Sequence, residues 1–153
     1  MRYAVTLFAA VLAGCGGAPA RWIDEAAAAH ARADALAGSG DRESAIRILE
    51  QLVAQPTPAR IGARDRRAVV QDAYGRLADL ALAAGDPARA LGYADAGLAL
   101  GEARDAFTST LRTFRGKANE ALGRDSDAAR DYEAAQIVAE ALLQAAMADG
   151  GSR

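Results

Sequence analysis

Three glycines punctuate this chain at matching places, and they restrict its fold more than any other feature. Gly40, Gly85 and Gly123 each follow an alanine-rich stretch with helical apolar periodicity, and each precedes a short polar cluster. Small residues stand at fixed offsets around them. Seven positions before come Ala33, Ala78 and Gly116, five after come Ala45, Ala90 and Ala128, and four further on come Leu49, Ala94 and Tyr132. Small side chains at both points let two helices cross backbone against backbone in an antiparallel hairpin whose turn begins at the glycine. Glycine there supplies the left-handed conformation that ends a helix. Asp41 and Asp86 are placed to cap the second helix, and Pro87 suits its first turn.

The pattern predicts three hairpins: Trp22–Gly40 with Arg42–Gln55, Pro58–Gly85 with Pro87–Leu100, and Arg104–Gly123 with Ser126–Asp149. Val70, Tyr74, Leu77 and Ala81 step along one helix face, as do Ala128, Tyr132, Ala135, Ala139, Leu142 and Ala146. No run of alternating β-branched residues competes. Aromatics at 5% and heavy alanine use argue against an all-β sandwich, so the expected fold class is all-α.

The segment from Phe114 to Ala135 resembles a tetratricopeptide repeat, as does Leu77 to Leu98 around Ala83-Ala84-Gly85-Asp86-Pro87-Ala88-Arg89-Ala90-Leu91. A fainter copy lies in Gly40-Asp41-Arg42-Glu43-Ser44-Ala45-Ile46. The likeness covers about residues 22 to 148. It implies about six helices stacked as a short right-handed α-solenoid, with the first helix of each pair lining a concave face. The sequence departs from the family in places. The glycines are 45 and 38 residues apart, against the family's 34, Asn119 stands where a large apolar residue is usual, and Arg124 replaces an aspartate. The proline that closes each repeat survives only as Pro56.

The N-terminus carries Arg2 ahead of a charge-free run from Tyr3 to Ala13, the layout of a secretory signal peptide and too short to span a bilayer. It ends in Leu12-Ala13-Gly14-Cys15, which resembles the lipobox of bacterial lipoproteins. The resemblance implies cleavage before Cys15, a diacylglyceryl thioether (the palmitate-type anchor) on its sulfur, and acylation of the new N-terminus. Gly16 after the cysteine implies sorting to the outer membrane, facing the periplasm. The expected organisation is a signal peptide over 1–14, a lipidated tether over 15–21, a repeat domain over 22–149 and a tail over 150–153.

The chain has 153 residues, a net charge of -2, one cysteine and one histidine. That inventory leaves no internal disulfide, no Cys- or His-built metal site and no basic footprint for nucleic acid. No cofactor is expected beyond the lipid on Cys15. His30, with Asp34 one turn on, is the only imidazole, and no nucleophile-elbow or phosphate-cradling pattern accompanies it. The expectation is a protein without catalysis of its own.

Two surfaces are candidates for binding. The family's concave face maps to His30, Asp34, Asp72, Asp79, Thr113, Lys117 and Glu120 here, a mildly acidic groove whose single lysine is the only one in the chain. Arg60, Arg64, Arg66 and Arg67 gather at the start of the second pair, where cations oppose the helix dipole at about 0.3–1 kcal/mol each. Asp65 and Asp72 dilute that patch. The leading expectation is a lipid-anchored envelope interaction module that holds another envelope protein in the groove. The alternatives are a homo-oligomeric scaffold using the long last helix, or a wall-associated accessory domain using the arginine patch.

Overall fold

Six helices account for nearly all of the 18–150 span that the computed structural model describes, and no strand occurs among the described residues. They are α1 (Ala18–Gly38), α2 (Arg42–Ala54), α3 (Ala63–Ala83), α4 (Pro87–Ala99), α5 (Ala106–Ala121) and α6 (Asp125–Gly150). Cys15, the segment read as a signal peptide and residues 151–153 lie outside the described residues.

The glycines act as the sequence implies. Gly40, Gly85 and Gly123 have φ of 92, 78 and 72°. At each one the amide of the following residue reaches back five positions, Asp41 to Leu36 O, Asp86 to Ala81 O and Arg124 to Asn119 O, at 2.8–2.9 Å. The glycine's own amide reaches back three. This double closure satisfies the carbonyls that a helix end would otherwise leave bare. Asp41 then accepts from the Ser44 amide, and Asp86 from the Arg89 amide, to start α2 and α4.

Two helix starts differ most from expectation. Helix α1 begins at Ala18, inside the stretch read as tether, because Pro19 in a first turn lacks only an amide that no helix bond needs. Helix α3 begins at Ala63 and not at Pro58. Pro56 holds Gln55 extended at ψ 139°, and Pro58 accepts from the Ile61 amide in a separate turn. A fourth left-handed glycine, Gly101, closes α4 and leads to Asp105, which caps α5 through the Thr108 amide.

Each helix packs on the next, and the odd-numbered helices also approach one another, α1 on α3 and α3 on α5. The backbones of α2 and α4 stay farther apart and are joined by side chains. Arg89 reaches Glu43 at 3.1 Å and Glu50 at 3.3 Å, while the Tyr93 hydroxyl donates to Glu50 at 2.5 Å. Burial and that carboxylate push the Tyr93 phenol up to about 12.

The core is uneven. Ile46, Leu49, Leu52 and Leu77 fill the α1–α3 region, packed against small residues. Beyond it the helices meet mainly through alanine and glycine. Ala33, Ala45, Ala78, Ala90 and Ala128 are buried, as the small-residue offsets imply. A Cβ on Gly116 would lie 2.7 Å from the Tyr132 ring, and one on Gly97 would lie 2.7 Å from Leu111. The last turns of α6 leave the array: Ile137, Leu143 and Met147 are 60–69% exposed.

Candidate functional site

The odd helices build a groove. Its first part is a cavity of about 330 Å³ lined by Ile23, Ala26, Ala27 and His30 of α1, Ala68, Val69 and Asp72 of α3, and Phe107 of α5. Its second part, about 170 Å³, shares Asp72 and Phe107 and runs on past Gly75, Arg76, Asp79, Thr110 and Phe114. The walls are apolar, and the charges cluster at the α1–α3 seam.

There His30 Nδ1 lies 2.8 Å from Asp72 Oδ2, and Arg76 Nε lies 3.1 Å from the same oxygen. Arg76 Nη1 also reaches Asp34 Oδ1 at 2.5 Å. The hydrogen bond from His30, helped by Arg76, holds the Asp72 carboxyl below its ordinary range against the opposing effect of burial. Asp34 therefore does not orient the imidazole. It belongs to Arg76, and Asp72 of the next odd helix is the partner of His30. His30 Nε2 is buried with no hydrogen-bond partner.

Of the seven concave-face candidates, His30, Asp34 and Asp72 come together, and Asp79 lines the groove without an internal ion pair. The other three lie along α5 and are engaged locally. The Thr113 hydroxyl donates to the Ser109 carbonyl, Lys117 sits 5.2 Å from the Phe114 ring centre, and Glu120 accepts from the Tyr132 hydroxyl at 2.6 Å. Arg76, Ile23, Val69, Phe107 and Phe114 complete the groove and were not among the residues expected there from the sequence. Phe107, Thr110 and Phe114 step by three and four, which was the available signal.

The arginine patch divides. Arg60, Arg64 and Arg66 are exposed and make no ion pair among the described residues, whereas Arg67 is half-buried and pairs with Asp105 at 3.3 Å. Arg64, Arg66 and Arg67 edge a cavity of about 430 Å³ with Val53, Thr57, Ala63, Val70 and Leu100.

A third polar cluster was not foreseen. Asp131 of α6, 5% exposed, takes both arms of Arg115 at 2.5 and 2.9 Å, a further contact from Arg112 at 3.5 Å, and the Asn119 amide at 3.3 Å. Asn119, buried itself, thus serves as a donor to this buried carboxylate. Buried Gln71 does similar work, donating to the Gly97 and Gly101 carbonyls at the end of α4.

Among the described residues, no group of three or more His, Cys, Asp or Glu could hold a metal ion, and no helix is long and apolar enough to cross a membrane. No family model matches the chain, and no curated protein matches it either. Its function has to be read from its own residues.

Proposed function

We propose that this chain is a non-catalytic interaction module of the bacterial cell envelope, anchored by lipid on Cys15 at the periplasmic side of the outer membrane, and that it holds a segment of another envelope protein in the groove of its odd-numbered helices. The reading of the six helices as a short tetratricopeptide-like solenoid belongs to the same proposal. It is supported by the approach of α1, α3 and α5 to one another, by the three equivalent glycine closures, and by buried small residues at equivalent places.

The observation that carries the proposal is the groove's continuity across three helices through Asp72 and Phe107. Ile23, Val69, Phe107 and Phe114 offer apolar seats for a partner's side chains. Arg76 offsets part of the acidic charge of Asp34 and Asp72, and Asp79 at one end is left to meet a cation. A segment with apolar anchors and a basic residue fits that arrangement. Nucleic acid does not fit it.

The test is in-cell crosslinking and pull-down of the tagged chain beside Asp79→Arg, Ile23→Glu and Cys15→Ala forms. Asp79 and Ile23 are exposed, so both substitutions spare the core. One or two envelope proteins lost from both groove variants is the expected result. Partners retained by both variants would sink the groove reading. Self-crosslinks alone would favour a homo-oligomeric scaffold, a second reading favoured by the exposed Ile137, Leu143 and Met147 of α6.

A further inference from the structure

The arginine-edged cavity between α2, α3 and the end of α4 lies on another face of α3 from the groove, and the proposed partner binding leaves it unused. Its floor is apolar, built from Val53, Ala63, Val70 and Leu100, and its edge carries Arg64, Arg66 and Arg67, with the Thr57 hydroxyl beside them. At about 430 Å³ it falls within the roughly 300–1,000 Å³ range of small-molecule sites.

The charge balance sets it apart from another arginine-rich cavity. In the one lined by α4, α5 and α6, Arg112 and Arg115 are held by Asp131, Arg112 also by Glu102, and Arg130 by Asp127. Those carboxylates engage three of its four arginines, and only Arg124 at its edge makes no ion pair among the described residues. At the α2–α3 cavity only Arg67 has such a partner, Asp105, and its Nε is buried without any acceptor. Arg64 and Arg66 make no ion pair, Arg60 adds a cation from the adjoining loop, and Asp65 is the one further carboxylate beside them. Gly62, which caps α3, brings no side chain to its first amides, and the Asp65 carboxylate stands at that end, 3.4 Å from where a Cβ on Gly62 would lie. The Arg64 and Arg66 guanidiniums and the Arg67 Nε are therefore left to hold an anion beside an apolar floor.

We infer that this cavity binds an amphiphilic anion, a phosphate monoester or carboxylate borne on a hydrocarbon chain, with the head on Arg64, Arg66 and Arg67 and the chain over Val53, Val70 and Leu100. The guanidiniums give bidentate hydrogen bonds to the head group. The half-exposed Leu100 is covered by the tail. The site stands independently of the groove reading.

The experiment is calorimetric titration of the full chain with decyl phosphate below its micellar concentration, beside inorganic phosphate and decanol. One-to-one binding of decyl phosphate, about tenfold or more tighter than either half alone, is expected. Arg64→Ala with Arg66→Ala should weaken it about a hundredfold, at about tenfold for each lost charged contact. Leu100→Gln should weaken decyl phosphate about fivefold while leaving inorganic phosphate unchanged. Both sites are exposed enough that circular dichroism should report an intact helical fold. Equal affinity in the double-arginine variant would overturn the inference, and so would inorganic phosphate binding as tightly as decyl phosphate. Arginine-dependent flotation with phosphatidylglycerol vesicles, without any binding of monomeric decyl phosphate, would replace the cavity by a membrane-surface patch. Where decyl phosphate binds, its effect on that flotation separates the sources. Competition assigns the ligand to the bilayer, and no competition assigns it to a free amphiphile.

Discussion

The two arginine-rich regions of this molecule use the same side chain for opposite ends. Around Asp131 the guanidiniums are folded inward onto a buried carboxylate, so their charge holds α5 to α6 and meets the end of α4 through Asp95. Arg64 and Arg66 stand at the surface, and among the described residues neither makes an ion pair. What separates the regions is the presence of a facing carboxylate on the next helix, not the local density of arginine. A cation with a partner is structure, and one without is available for recognition.

The sharpest way to break that contrast is to remove the partner. Asp131→Ala removes the buried carboxylate that Arg115 and Arg112 share, leaving Arg115 only Asp95 and Arg112 only Glu102, and the loss is expected at about 3 kcal/mol, the low end for a broken buried pair. Urea unfolding should show the loss, and a variant as stable as the parent would mean the cluster is solvated. Next in size is the α5–α6 contact beside it. Gly116→Ala drives a methyl against the Tyr132 ring and is expected to cost about 1–3 kcal/mol, less up to about 1 kcal/mol of gained helix propensity. Thermal melting checks the net sign. Removing the unpartnered arginines is the opposite case. Arg64→Ala and Arg66→Ala should each change stability by less than about 0.5 kcal/mol, and a larger loss by the same unfolding assay would show that these cations are structural after all.

A further comparison is internal to the groove. Asp72 has its folded-state pKa depressed, so its contribution to stability is present above its ordinary value of 3.8 and is lost as pH falls through the lower folded value. Carboxyl NMR titration should find Asp72 ionising below that value in the parent, and shifted upward in His30→Ala, which removes the largest cause. An unmoved midpoint would mean the His30 contact is not formed in solution. The smallest effect is spectroscopic. Tyr93 and Tyr132, each hydrogen-bonded to a glutamate, should ionise late, at about 12, and Tyr93→Phe should delete one of those late steps from an alkaline absorbance titration.

Much of the fold was legible. The three turn glycines, the aspartate caps at Asp41 and Asp86 and the buried alanines follow from backbone rules that act within a few residues. The missed boundary at α3 was also local, since Pro56 and Pro58 carried the signal for an extended loop and a separate turn. The groove was half-legible. His30, Asp34 and Asp72 were singled out, but their pairing was not. Asp34 is a helical turn from His30 in sequence, yet the imidazole turns to Asp72 on another helix and Asp34 goes to Arg76.

The sequence alone determined how the helices begin, where they end and which faces are small enough to cross closely, because caps, glycine conformations and side-chain volume are properties of neighbouring residues. Only the tertiary structure decided which charges are spent. The partners of Arg76, Arg89, Arg112 and Arg115 on other helices lie 16 to 46 residues away along the chain. Whether a guanidinium meets a carboxylate over that separation depends on helix rotation and crossing, which no local pattern encodes. The same packing made Asn119 a ligand of Asp131 and left Arg64 and Arg66 without a partner.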